Sequence, residues 1–135
     1  MSAPAPIVVL DASVGVKWFR REAGSDKALA LLEAHRDGEL RLVVPSIFSH
    51  ELVAVAVRDG GTGLASSVWT NLRAASLFEV ELDDTVIQTA LAVCERTGCA
   101  FCDALAPAVA ELLDARLCSA DRRAHGRYPG VQLIG

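Results

Sequence analysis

Four acidic residues, Asp11, Glu51, Asp103 and Asp121, lie far apart in the chain, and each stands beside an apolar run. Brought together, several carboxylates cannot all ionise within a few ångströms without a compensating cation. A donor set of oxygens alone, with no His or Cys, suits Mg²⁺ or Mn²⁺, which keep waters and coordinate substrate phosphate. Such an ion lowers the pKa of a bound water and steadies the charge of an in-line phosphoryl transition state. The chemistry implied is phosphodiester hydrolysis with no protein nucleophile. Ser13 and Ser119 each stand two residues from one of the acids and could orient them through their hydroxyls; plain capping or turn formation explains both serines as well.

Each acid also has a simpler use. Asp11 could cap a helix beginning at Ala12 or Ser13, Asp103 could complement a helix dipole, and Asp121 could start a solvated turn with Arg122 and Arg123. Glu51 is harder to explain away. At helical spacing its neighbours are Ile47, Phe48, Ala54 and Val55, so it projects from an apolar stripe where a carboxylate is costly unless paired or bound to a metal. Arg58, further along the same face, is the structural alternative as its partner.

The elements that would gather these acids are legible from hydrophobic pattern. Ile7-Val8-Val9-Leu10 is a continuous apolar run, as a strand covered on both faces should be. Segments 40–44, 77–82, 116–119 and 131–134 are four further strand candidates, and helices are expected over 13–21, 25–36, 46–58, 63–75, 84–97 and 103–114. Strands alternating with helices imply an α/β fold, a parallel sheet with helices on both faces in three layers. The Asp59-Gly60-Gly61-Thr62-Gly63 break reads as a turn between two helices inside one domain. In such a sheet ligands bind at the carboxyl edge. Asp11 follows the first strand there, Asp121 follows the fourth, Asp103 is expected to open a returning helix, and Glu51 lies early in the helix leaving the second strand.

Composition bounds the rest. The 135 residues suffice for one domain, 1–135, with 1–6 expected as a loose tail. With 52% apolar and 22% charged residues, disorder is disfavoured. No run approaches the ~18 apolar residues of a membrane helix, and no signal core is visible near Met1, so a reducing cytoplasm is the expected location. A net charge of −4 argues against a nonspecific polyanion binder, though a bound divalent cation can supply the positive charge a phosphate needs.

At this point four motifs in order resemble the PIN-domain ribonucleases. Val8-Val9-Leu10-Asp11-Ala12-Ser13 looks like their opening strand, and Pro45-Ser46-Ile47-Phe48-Ser49-His50-Glu51-Leu52 like their second motif. Cys102-Asp103-Ala104-Leu105 matches the third and Ser119-Ala120-Asp121-Arg122-Arg123 the fourth. Order, spacing and length are similar across nearly the whole chain, above all to the VapC-type toxins of prokaryotic toxin–antitoxin pairs. The resemblance implies a five-stranded parallel sheet, Mg²⁺ or Mn²⁺ held by Asp11, Glu51, Asp103 and Asp121, RNA cleavage, homodimers and an inhibitory antitoxin. Trp18, Phe19, Leu64, Val68, Trp69 and Leu72 recur near helical spacing, and part of that apolar surface is expected to meet a partner. Two departures stand out. Pro107, four residues into the expected third-motif helix, removes a backbone donor and would bend its first turns and shift Asp103. Phe101 and Cys102 replace the more usual lead-in to that motif.

Other signals carry less. Cys94, Cys99, Cys102 and Cys118 formally echo an iron–sulfur spacing, but Cys94 falls on an expected helix and Cys118 in an expected strand, so small buried hydrophobes is the preferred reading. His50-Glu51 lacks the second histidine of a zinc-protease helix, since position 54 is Ala. Gly60, Gly61 and Gly63 have no following Lys-Ser/Thr and read as a turn. Asp83 and Asp84 read as helix caps, and His35 and His125 as solvated. Lys17, Arg20, Arg21, Arg122 and Arg123 either line an RNA path or decorate exposed faces. Three functions remain open: a metal-dependent endoribonuclease toxin, a small-molecule phosphohydrolase, and a catalytically silent PIN-like scaffold. The single Asp ending the first strand, without a second acid beside it, disfavours the phosphohydrolase.

Overall fold

The structure, a computed structural model, describes residues 3–135; of the expected tail, Met1 and Ser2 lie outside the described residues. Five strands, β1 (Ile7–Leu10), β2 (Arg41–Pro45), β3 (Phe78–Val80), β4 (Arg116–Ser119) and β5 (Gln132–Leu133), form one parallel sheet in the order β3-β2-β1-β4-β5. Six helices accompany them: α1 (Ala12–Gly15), α2 (Ser25–Arg36), α3 (Phe48–Ala75), α4 (Asp84–Thr97), α5 (Phe101–Leu113) and α6 (Arg122–His125). The chain winds from β1 outward to β3, then returns past β1 to β4. The order reverses between β1 and β4, and the crevice at their carboxyl ends is where such sheets bind ligands.

Alternation along β1 shows why a continuous apolar strand is needed. Val8 and Leu10 pack on one face with Leu42, Val44, Phe48, Leu52 and Leu72, beneath α1 to α3. Val9, on the other face, joins Val43, Leu117, Val93, Leu105 and Val109 beneath α4 and α5. Each such side chain, removed from water, contributes about 1.5–3 kcal/mol, so the first strand is anchored from both sides.

Several elements depart from the sequence expectation. The first helix is not continuous over 13–21: α1 ends at Gly15 and a 3-10 turn, Val16–Trp18, follows, with the amides of Phe19 and Arg20 both donating to the Val16 carbonyl. The break at Gly60 and Gly61 is real, with Gly61 at φ 75°, yet hydrogen bonding runs on either side of it as α3. Asp83 caps α4 by accepting the Val86 amide, as expected, whereas Asp84 is simply the first residue of that helix. His35 is not solvated. Its Nδ1 accepts the Leu42 amide at 3.1 Å while Nε2 donates to the Ala75 carbonyl at 3.1 Å, tying α2 to β2 and to the end of α3.

Gly15 fixes how closely α1 lies on α3. A Cβ there would come within 2.5 Å of Phe48 Cζ and 2.7 Å of Leu52 Cδ2, both side chains fully buried. Gly15→Ala should therefore lower stability by about 1–3 kcal/mol through overpacking, read as a lower urea midpoint. An unchanged midpoint would show that α1 can ride outward freely.

Candidate active site

Asp11 leaves the end of β1 with its amide donating to the Cys118 carbonyl at 3.0 Å, so the two central strands set its position. It caps α1: Oδ2 accepts the Ser13 amide at 3.0 Å and the Ser13 hydroxyl at 2.6 Å. The Ser13 oxygen in turn accepts the Ala120 amide at 2.9 Å, across the crevice from β4. Ser13 thus supplies both the capped amide and the hydroxyl that orients the acid. The cap leaves Asp11 Oδ1 without a protein partner.

Asp121 is held similarly. Its Oδ1 caps α6 by accepting the Ala124 amide at 3.0 Å, and its own amide donates to Ser119 Oγ at 3.1 Å. Ser119 therefore acts on Asp121 through the backbone rather than through the carboxylate. Its hydroxyl also meets His125 Nδ1 at 2.6 Å, and His125 Nε2 meets the Asp103 carbonyl at 2.6 Å. A carbonyl can only accept, so Nε2 carries the proton and Ser119 donates to Nδ1, giving one consistent pattern for the neutral ring. His125 is 1% exposed, which corrects its reading as a solvated residue.

Pro107 explains why that carbonyl is available. In α5 the amide of residue 107 would bond the carbonyl of residue 103, and proline has none to give. His125 supplies the missing donor. The helix runs through Pro107 from Phe101 to Leu113, two residues earlier than expected at its start, so Asp103 is its third residue rather than its first. The helix continues through Pro107 without a break, with the lost bond replaced from outside the helix.

Glu51 stands in the first turn of α3, half-buried, its own amide donating to the Ile47 carbonyl. It makes no ion pair; exposed Arg58 acts on Asp59 instead. Burial, then the charges of Asp11 and Asp103, push its carboxyl from 4.5 up to about 7. Asp103 is also raised, by burial and then by Asp11 and Asp121, with His125 opposing. The four acids therefore share one electrostatic field at the carboxyl edge. They do not form a closed coordination sphere: among the described residues no three His, Cys, Asp or Glu side chains stand at metal-ligand spacing. Nor does any buried side-chain nitrogen or oxygen among them lack a partner, so the unbonded carboxylate oxygens reach solvent. Open oxygens from four mutually repelling acids, without nitrogen or thiolate donors, fit a hard divalent cation.

The basic residues sort differently from the sequence reading. Lys17 is buried, its ammonium donating to the Ala23 carbonyl and to Glu22, and cannot line a substrate path. Arg20 pairs with Asp59 and Arg21 with Asp26. Arg122 and Arg123 remain exposed beside Asp121. Of the cysteines, Cys118 is buried in β4 and Cys94 and Cys99 are half-buried, but Cys102 is exposed rather than a core residue. Val68 and Leu72 belong to the core, leaving Trp69, 42% exposed, as the outward member of that stripe.

A family model described as PIN domain matches residues 8–130. No curated protein sequence matches the chain. Among solved structures, the chain is similar to VapC20 of Mycobacterium tuberculosis, titled a sarcin-ricin-loop-cleaving toxin. The TM-score is 0.74 at 13% identity, covering 95% of this chain and 99% of that one. It is also similar to a toxin–antitoxin complex from Klebsiella pneumoniae (TM-score 0.72, 16% identity, 92% and 94% covered). A third is VapBC2 of Rickettsia felis, titled as bound to a fragment of promoter DNA (0.70, 17%, 94% and 96%). At these identities the likeness is one of fold.

Two outcomes follow from the geometry. His125→Phe strands the Asp103 carbonyl and the Ser119 hydroxyl in a buried place, at about 1–3 kcal/mol for each group, and should lower the melting temperature. Glu51 gives a pH dependence. Its raised carboxyl means the folded chain holds a proton, between pH 4.5 and about 7, that the unfolded chain has lost. Stability is then full below pH 4.5 and falls as pH rises across that window, by on the order of 1 kcal/mol after solvent screening. In metal-free buffer Glu51→Gln should abolish this fall, giving a higher melting temperature at pH 8 but not at pH 4.5. Equal melting temperatures at both pH values would contradict the coupling.

Proposed function

Because the chain belongs to the PIN-domain family, we propose that it is a metal-dependent endoribonuclease, the toxin of a toxin–antitoxin pair. The observation that supports this reading is the influence of the acids on one another, Asp11 and Asp103 raising Glu51 and Asp11 and Asp121 raising Asp103. Asp11, Asp103, Asp121 and Glu51 would hold Mg²⁺ or Mn²⁺ through the oxygens their caps leave free. A cation bound there supplies positive charge for the scissile phosphate and activates water for in-line attack. The protein's own part is positional. Ser13 and Ser119 keep Asp11 and Asp121 in their caps, and His125 keeps the backbone of Asp103 in place. Glu51 holds a proton near neutrality that cation binding would release.

The proposed partners follow from the same family and from the surface. An apolar groove of about 250 Å³, lined by Trp18, Phe19, Leu32, Leu52, Val68 and Leu72, suits an apolar helix from a small antitoxin. Leu112 and Leu113, 45% and 40% exposed near the end of α5, support pairing with a second copy of the chain. Among the described residues no helix is long and apolar enough to cross a membrane, and we place the protein in the cytoplasm. One observation favours the silent-scaffold reading: the acids stand wider than ligand spacing.

Purified protein should cleave single-stranded RNA with Mg²⁺ or Mn²⁺, stop with EDTA, and leave 5′-phosphate and 3′-hydroxyl ends. Asp11→Asn should reduce the rate at least about 100-fold, the scale of losing one charge-stabilising group, while melting at the same or a higher temperature. Cleavage that persists in EDTA, or a protein that never cleaves RNA under any metal, would sink the reading; the second outcome would select the scaffold. Light scattering on the isolated protein should give a dimer.

A further inference from the structure

A cavity of about 680 Å³ opens between the first turn of α5 and the segment that joins β4 to β5. This lies within the ~300–1,000 Å³ range of ligand sites. Asp103 and Asp121 belong to its lining, so it is continuous with the acidic site. Arg122, Arg123 and Arg127 line it too. In a chain of net charge −4, three guanidiniums are thus gathered at one cavity. The ion pairs among the described residues are Lys17–Glu22, Arg20–Asp59, Arg21–Asp26 and Arg96–Glu111, and none involves them. Asp121, their neighbour in sequence, gives its Oδ1 to the Ala124 amide instead. The cavity thus presents three unneutralised cations beside acids that repel anions.

We propose that this cavity is a phosphate subsite for RNA, in which Arg122, Arg123 and Arg127 receive a backbone phosphate next to the one positioned at the acids. The proposal rests on the nuclease reading and names how its substrate is held. A guanidinium offers a rigid fork of donors that matches two phosphate oxygens at once, and it stays charged at every working pH. A nucleic-acid strand carries phosphates at regular spacing, so a strand engaged at the acids has a further phosphate to place nearby. The acids alone cannot hold it, because their field repels it. The arginines reverse the sign of that field within one cavity. Such contacts position the strand and carry no sequence information.

The test compares the triple variant Arg122→Ser/Arg123→Ser/Arg127→Ser with a control of equal charge change, Lys27→Ser/Arg36→Ser/Arg116→Ser, at sites outside the cavity lining. Binding of a short fluorescent single-stranded RNA is read by anisotropy in the Asp11→Asn background with Mg²⁺, over a range of salt. Cleavage kinetics are read in the otherwise unaltered protein, and melting temperatures confirm that both variants fold. The triple variant should bind at least about ten-fold more weakly, with a salt slope shallower by about one for each phosphate the arginines no longer neutralise. Its KM should rise accordingly while kcat changes by less than about three-fold, the pattern expected when uniform binding is removed. Equal weakening in the control would show only bulk charge and overturn the proposal. So would unchanged binding and KM in the triple variant. If the protein binds RNA through these arginines but never cleaves it, the nuclease reading fails and the subsite stands.

Discussion

The site depends on one bond from a buried histidine to a backbone carbonyl. His125 Nε2 donates to Asp103 O, and Ser119 Oγ closes the other side of the ring. Through Ser119 the bond reaches the Asp121 amide, and through the 3.4 Å contact with Ser13 Oγ it approaches the group that orients Asp11. Three acids that repel one another are thereby tied through their backbones and, at Asp11 and Asp121, through one capping oxygen each. A scaffold that bonded the carboxylates on both oxygens would neutralise the very atoms a cation needs. Capping uses one oxygen each on Asp11 and Asp121 and leaves the second free.

Pro107 and His125 make sense only together. A proline inside a helix is costly chiefly because it leaves a carbonyl unpaired and crowds the preceding turn. Here the unpaired carbonyl belongs to an acid of the site, and the donor that satisfies it comes from the segment carrying another. The defect in α5 becomes the point where α5 is fastened to the end of β4. The sheet topology supplies the rest: with β1 and β4 adjacent and parallel, residues more than a hundred positions apart emerge side by side.

This division explains what could be read from the sequence. Strand β1 and the acids flanking the strands were legible because period, length and the carboxyl-edge rule all act locally or through topology. Glu51 was legible as an acid misplaced on an apolar stripe. His125 was not. Its sequence neighbours are Arg122, Arg123, Ala124 and Gly126, a polar context that hides a ring whose two partners lie on β4 and α5. The signal was present in Pro107, read as a disturbance to Asp103 rather than as a carbonyl in need of a donor. Lys17 misled in the same way: the sequence shows a cation on a short helix, while its burial depends on the chain folding back at Ala23. Both errors involve polar groups satisfied at a distance, which no local pattern records.

Burial, aided by the charges of Asp11 and Asp103, holds Glu51 protonated to about pH 7, yet among the described residues no three of the acids stand at ligand spacing. Repulsion between carboxylates falls with distance, so a cation-free fold gains by keeping them apart and open to water. Closing them onto one ion would reverse the sign of that balance: the Coulomb terms that spread them would be replaced by attraction to a shared charge. The backbone restraints at Asp11, Asp103 and Asp121 limit how far each can retreat. The acids are carried on strand ends and first helical turns rather than on a long loop, so the fold holds their backbones on its rigid elements.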